Sequence, residues 1–596
     1  MENTRPILYG VADFAEIRKA NAWFVDRTSK IRDLEATRYA VFLRPRRFGK
    51  SMLTSILEAY YDVACADRFE TLFSGTDIGE NPTDERNCYL VLSFDFSAVE
   101  KSPEMAQESF STHVCGRIDS FVRKYAGRLG EASASRILAA SGSTDKMNAL
   151  FEATKGTGNG IYVIIDEYDN FTNTILAESG HDAYARLCHG GGFFKQFFGV
   201  LKSLTTSLDA PLKRLFITGV SPVTMDDVTS GFNIGTNISL MPQFADFTGF
   251  RHDDLRAIAD YYAPRCGFDA DKAYAAARAW YDNYRFGGYN APALANTTLV
   301  LSLFNLLWQT HEFPYDMVDE NLRTDYAKIR HLITVDKRLN GNFHAIETVV
   351  SGEQLAERLV RSFQAKDIAK RENFISLLYW LGITTIVGSD MGTPLFGIPN
   401  GALRQIAAQM FTEAYSDACG IDQRLPAVNA GLRAFAAKGT WDALLEPLLD
   451  VVKQNFAVRD AKEGETAVAS TVSAILISAG GPYVIKRERE ANGGFYDLSM
   501  APRFDIAPNI AHAALIELKY VKAGDPAPTP EALAKIKAQA VEQLDQYSAD
   551  PALVAEWHIG VAGVPPATGT TGVSPVALHR LVLVFHGGEC VLSEEV

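Results

Sequence analysis

An α/β fold at both ends of the chain, with a mostly helical stretch between them, is the architecture that this 596-residue sequence predicts. Three patterns carry that expectation. Over the first ~250 residues, short apolar runs alternate with amphipathic helical segments, which reads as a largely parallel sheet covered by helices. From about 251 to 455 helical periodicity dominates, and from about 456 to 596 strand runs return around one further helix. The length itself asks for more than one core.

The strand candidates of the first region are YAVFL (39–43), YLVLSFDF (89–96), GIYVIID (160–166) and RLFITGV (214–220). Each is a short, nearly continuous apolar run, as expected of strands buried on both faces. In the middle, DDLRAIADYYA and ISLLYWLG are helical, and GITTIVGSDMGTPLFGIP suggests a hairpin of a small winged-helix-like unit. In the last region YDLSMAPR, HAALIELKYV, EWHIGVAG and HRLVLVFHG read as strands, with a helix around 531–548. The Pro- and Gly-rich stretches 523–530 and 564–575 read as loops inside that region.

Composition narrows the class. With 47% hydrophobic and 22% charged residues, the chain is of the globular type. No apolar run reaches the ~20 residues needed to span a bilayer. The opening MENTRPILYGVADF has an early Glu and no apolar core, so no secretory signal is expected. Seven scattered cysteines without a C-x-x-C pair point to free thiols in a reducing, cytoplasmic setting. Among the eleven histidines no H-x-x-x-H or H-E-x-x-H spacing occurs, so a zinc centre is not expected. A net charge of −14 disfavours coating DNA through bulk electrostatics. Local basic features such as RPRR, and Lys486 with Arg487 and Arg489, leave phosphate contacts open.

The strongest motif is YAVFLRPRRFGKSMLTSILEAYY, in which a strand runs into a tight loop and Gly49-Lys50-Ser51 opens an apolar-periodic helix. Backbone N–H groups at a helix N-terminus, a Lys for the β/γ-phosphates and a hydroxyl for Mg²⁺ form a phosphate cradle. Arg46, Arg47, Phe48, Gly49, Lys50 and Ser51 would line it. Arg44 stands where the G-x-x-x-x-G-K-[ST] pattern has its first Gly, and Pro45 would shape the loop by another route. The second half is IYVIIDEYDN: Asp166 would hold Mg²⁺ and Glu167 would orient the attacking water. Thr218, in FITGVSPV, ends the next strand candidate, either as an ordinary strand-end residue or near the γ-phosphate.

These segments, with SGFN, YDNYRFG and FGIPN, resemble the bacterial AAA-ATPase-like proteins that carry a C-terminal PD-(D/E)XK nuclease domain, and the resemblance covers nearly the whole chain. WFVDRTSKI, containing Asp26, is similar to that family's lead-in to the phosphate loop, and Arg in place of the first Gly is its usual form. The resemblance implies a P-loop NTPase domain over 1–250, a helical and winged-helix-like region over 251–455, and a restriction-endonuclease-like domain over 456–596. It implies ATP and Mg²⁺ as cofactors, DNA as the partner, and a setting of defence against or management of mobile DNA. A homo-oligomer is compatible with it.

Near the C-terminal end, Asp497 is followed twenty residues on by Glu517-x-Lys519. Alternation along HAALIELKY places Glu517 and Lys519 on one strand face, and a hairpin from YDLSM would bring Asp497 beside them. Two carboxylates with a Lys suit Mg²⁺-assisted phosphodiester hydrolysis, Asp497 and Glu517 holding the metal. By resemblance, Glu465 supplies a further acid from the helix ETAVASTVSAILISA, and Gln543 and Tyr547 match the family's residues after the E-x-K strand. Glu488 matches a family Glu, while Phe495 replaces the family's Arg. YDNYRFGGYN, with Arg285, is expected to pack on the ATPase core. The leading expectation is an ATP-regulated, Mg²⁺-dependent nuclease. Its rivals are a nucleotide switch with a catalytically silent nuclease-like domain, and an ATPase acting on protein partners.

Overall fold

The computed structural model describes residues 4–155, 157–205, 209–229, 235–314, 316–318, 334–335, 338–339, 341–419, 424–455, 465–491, 494–503, 510–522, 524–557, 559 and 575–596. The chain divides into two compact units, one formed by 1–331 with 355–404, the other by 332–354 with 405–596.

The first unit is built on β1 (Tyr39–Leu43), β2 (Tyr89–Asp95), β3 (Gly160–Asp166), β4 (Leu212–Gly219) and the two-residue β5 (Thr236–Asn237). All pair in parallel in the order β2-β3-β4-β1-β5. Parallel strands need crossovers, and the apolar runs supply faces that helices cover on both sides. Phe42, Ile164 and Phe216 pack with Leu57, Tyr60 and Tyr61 of α1 (Lys50–Tyr61) in the core on one face. Because β1 lies between β4 and β5, the strand order reverses beside it. A crevice opens there at the carboxyl ends of the strands. Leu43, Asp166 and Gly219 all stand at that end.

Two further pieces belong to this unit. Helix α2 (Thr297–Thr310) is capped by Asn296, whose side chain accepts from Leu299 N. A three-stranded antiparallel sheet comprises β6 (Leu355–Ala356), β7 (Thr385–Asp390) and β8 (Thr393–Gly397) in the order β6-β8-β7. Helix α3 (Arg371–Trp380) precedes its hairpin. The hairpin turns at Met391 and Gly392, both with positive φ, and Met391 is fully exposed. This matches the winged-helix-like outline, with one difference: every residue of α3 from Asn373 to Trp380 is buried. A helix packed on all sides has no face to lay into a DNA groove.

The second unit centres on β9 (Tyr483–Ala491), β10 (Gly494–Pro502), β11 (His512–Val521), β12 (Ala577–His586) and β13 (Glu589–Glu595), in that spatial order. Only the β11–β12 pair is parallel. The crossover between them carries α6 (Pro530–Ser548), and its Ala540, Leu544 and Tyr547 pack on Tyr496, Leu515 and Val582. Helices α4 (Leu425–Lys438) and α5 (Glu465–Ala479) complete the unit's core, with Leu432, Phe435, Val472 and Ile475 buried. EWHIGVAG does not start as a strand: Glu556 closes a short helix, Pro551–Glu556. Asp550 caps that helix by accepting from Ala552 N and Leu553 N, and Pro551 suits its first turn. Most of the remainder of that stretch lies outside the described residues.

One contact in the first unit tolerates no side chain. A Cβ at Gly219 would overlap Asp169 Oδ1 and the Tyr168 ring. Gly219→Ala should therefore cost about 1–3 kcal/mol through overpacking. The expected readout is a lower urea midpoint with an unchanged denaturant slope.

Candidate functional sites

In the first unit the phosphate-loop motif follows β1 into α1. Arg44 lies underneath the loop, fully buried. Its guanidinium donates to the carbonyls of Leu43 and Ser239 at 2.8 Å each, and of Phe244 and Ala245 at 2.8 and 3.1 Å. It is sandwiched between the Phe42 and Phe286 rings at 4.3 and 4.2 Å, and this burial lowers its pKa to about 9. A Gly at this position would forgo these bonds. The sharp backbone turn falls later in the loop, at Arg47 (φ 70) and Gly49 (φ 81). Pro45 is fixed from the other side, where a Cβ on Gly382 would come within 2.8 Å of its ring. Phe48 is buried edge-on against Tyr284 and Phe286. YDNYRFGGYN thus braces the loop, as the sequence suggests.

Gly49 starts α1 without a side-chain cap, and the first turn holds no acidic residue. Such an N-terminus favours an anion. Lys50 is 4% exposed; its Nζ donates to Pro45 O at 3.2 Å and lies 3.5 Å from Glu167 Oε1. Ser51 hydrogen-bonds Asp166, whose carboxyl burial nevertheless pushes up to about 6. Glu167 has left-handed backbone (φ 51), and its Oε2 accepts from Asn170 at 3.1 Å. Burial would raise its carboxyl, but Lys50, Asn170 and Arg46 more than offset this and hold it low. Arg46 and Arg47 are anchored through their carbonyls, which accept from Asn296 Nδ2 and Thr298 N at 3.2 and 3.1 Å. Thr218 sits fully buried at the end of β4, and its hydroxyl has no hydrogen-bond partner. Lys50, Ser51, Asp166, Glu167 and Thr218 therefore converge on one strand-end crevice.

Sequence reading passed over three features here. Asp95 ends β2 in register with Asp166, and its charge adds to the upward push on that carboxyl. Asp169 is fully buried and binds Ser221 N at 2.7 Å, tying the turns after β3 and β4 together. On the other flank of Gly49, a cleft is lined by Val25, Ile31, Leu53, Phe247 and Phe250. Thr248 also lines it, with a buried hydroxyl that lacks a partner. The only sequence signal was the end-of-strand Asp in SFDF. Asp26 has a structural role, accepting from Thr28 N and Asp77 N.

In the second unit, antiparallel pairing sets Leu498 opposite Ile516 and so brings Asp497 beside Glu517. Asp497 Oδ2 accepts from Leu518 N at 2.7 Å. Glu517 is 1% exposed; Oε1 accepts from Lys519 Nζ at 2.8 Å, while Oε2 is buried without a partner. Lys519 Nζ also lies 3.9 Å from Asp497 Oδ2 and 3.7 Å from Glu465 Oε1. Burial, reinforced by the charge of Asp497, pushes the Glu517 carboxyl up to about 7. Gln543 hydrogen-bonds Tyr547 one turn along α6, and burial followed by the Glu517 charge raises that phenol. The side chains of Glu488 and Phe495 lie outside the described residues.

An orphaned, buried carboxylate oxygen and hard oxygen donors fit a small divalent cation. Among the described residues, no group of three or more His, Cys, Asp or Glu gathers closely enough to hold a metal. An ion here would thus rest on Asp497 and Glu517 and complete its shell with water or phosphate oxygens, the habit of Mg²⁺.

The first unit has the strand-loop-helix arrangement of a P-loop fold, and the second sets two acids and a lysine together on a mixed sheet. Comparison with known families agrees. Residues 8–229 match the family model described as predicted AAA-ATPase, and residues 463–564 match that of the PD-(D/E)XK nuclease superfamily. The chain has the architecture of an AAA-ATPase-like protein with a PD-(D/E)XK nuclease-superfamily domain. No curated protein matches it. Among the described residues no helix is long and apolar enough to cross a membrane.

The raised Glu517 carboxyl has a thermodynamic signature. Its folded value of about 7 exceeds the ordinary 4.5, so the fold prefers it protonated and loses stability as pH rises between those values. At ~1.4 kcal/mol per unit the cost above pH 7 is roughly 3 kcal/mol. In chelator, Glu517→Gln should melt above wild type at pH 8, with the gap closing towards pH 5.

Proposed function

We propose that this chain is an ATP-regulated, Mg²⁺-dependent nuclease acting on DNA. In the first unit, Lys50 and the N-terminus of α1 would bind the β/γ-phosphates, with Arg46 and Arg47 adding positive charge. Ser51 and Asp166 would hold Mg²⁺, Glu167 would orient the attacking water, and Thr218 would donate to the terminal phosphate. The apolar cleft beside Gly49 suits the base, with the Thr248 hydroxyl as its polar contact. The ion pair between Lys50 and Glu167 would open as phosphate arrives and takes the ammonium.

In the second unit, Asp497 and Glu517 would hold Mg²⁺, which when bound lowers the pKa of a water and polarises the phosphate. Lys519 would stay cationic and stabilise charge developing on the phosphate oxygens. Gln543 and Tyr547, beside the carboxylates, would orient that water or the substrate. The observation that carries this reading is Glu517. A 1%-exposed carboxylate with an unpartnered oxygen, next to a second acid and a lysine, is costly to keep without a cation to bind.

The test uses the purified full chain with Mg²⁺ on circular and linear DNA and on RNA, with and without ATP. Wild type should cleave DNA, and Glu517→Ala should lose at least ~10²-fold in rate. Lys50→Ala should abolish the response to ATP while leaving basal cleavage measurable. Wild type that cleaves nothing, indistinguishable from Glu517→Ala, would falsify the nuclease half. DNA binding that persists in that case would favour a nucleotide switch with a silent nuclease-like domain, a reading to which Phe495 lends support.

A further inference from the structure

We propose that Glu465 is a positioning residue: it is the counter-charge that receives the Lys519 ammonium when Asp497 and Glu517 bind a divalent cation, and it is not a ligand of that cation. This rests on the metal-dependent reading of the second unit.

Three carboxylates face one ammonium, at 2.8 Å (Glu517), 3.7 Å (Glu465) and 3.9 Å (Asp497). They are not equivalent. Glu517 is almost fully buried and Asp497 is 19% exposed, whereas Glu465 is 44% exposed and opens α5. The three do not gather closely enough to surround one ion. The acceptor without a partner belongs to Glu517, which strand pairing sets opposite Asp497. An ion bound there adds two positive charges to the one that Lys519 carries, so three cationic charges meet three anionic ones. The neutral partition gives the ion Asp497 and Glu517 and leaves Lys519 with Glu465. If the ion also took Glu465, the ammonium would sit beside a dication with no anion of its own, which is repulsive at these distances.

The test is Mn²⁺ binding to the nucleotide-free full chain, followed by electron paramagnetic resonance of the free ion, with Glu517→Gln as the blank. If wild type binds no more Mn²⁺ than the blank, the metal reading itself fails. Otherwise a double-mutant cycle decides. Lys519→Met removes a competing charge and should tighten Mn²⁺ about tenfold, a change of ~1.4 kcal/mol. Glu465→Gln alone should weaken binding, because Lys519 then stays on Glu517. In the Lys519→Met background, Glu465→Gln should change affinity by no more than about twofold, as expected of a screened charge. A metal ligand would instead weaken binding in the Lys519→Met background as much as in wild type, because its loss does not act through Lys519, and that result overturns the proposal. So does Lys519→Met that fails to tighten binding. Lys519→Gln repeats the cycle if the Met variant does not fold.

Discussion

Buried carboxylates cannot stand side by side without a positive charge, and this constraint governs both units. In the first, Lys50 holds Glu167 while Ser51 steadies Asp166. In the second, Lys519 answers Glu517, Asp497 and Glu465 together. The acids are brought into contact by backbone pairing. Parallel register aligns Asp95 with Asp166, and antiparallel pairing sets Asp497 beside Glu517. The strands thus force a concentration of negative charge that the lysines only partly neutralise. Burial raises the carboxyls of Asp166 and Glu517, and the neighbouring acids add to that rise.

Arg44 shows the same principle applied to a cation. A guanidinium removed from water would be costly alone, yet four carbonyls and two aromatic rings receive it. The residue that departs from the familiar glycine pattern serves as a strut beneath the loop. The glycine-like backbone duty moves to Arg47 and Gly49.

The large features of this arrangement were legible in the sequence. YAVFL and GIYVIID coincide with β1 and β3, because strands buried on both faces leave an unbroken apolar run. The pairing of Asp497 with Glu517 and Lys519 followed from two-residue alternation. By contrast, β5 is only Thr236 and Asn237, whose strand character comes entirely from pairing with β1. Thr248 is a single polar residue whose surroundings are assembled from distant segments, so no local pattern announces it, and Asp95 shows only as the acid that ends its strand. In EWHIGVAG the strand cannot begin at Glu556, since a proline and a capping aspartate just before it commit the chain to a helical turn, whereas Ile559 does pair in parallel with Val576.

The seat of Pro45 against Gly382 gives the first unit a mechanical property. Gly382 follows α3 and leads into β7, and its left-handed backbone (φ 81) presents no side chain to the proline ring. Any side chain at position 382 would press on that ring, so the phosphate loop and the lead-in to the Met391 hairpin have to be accommodated together.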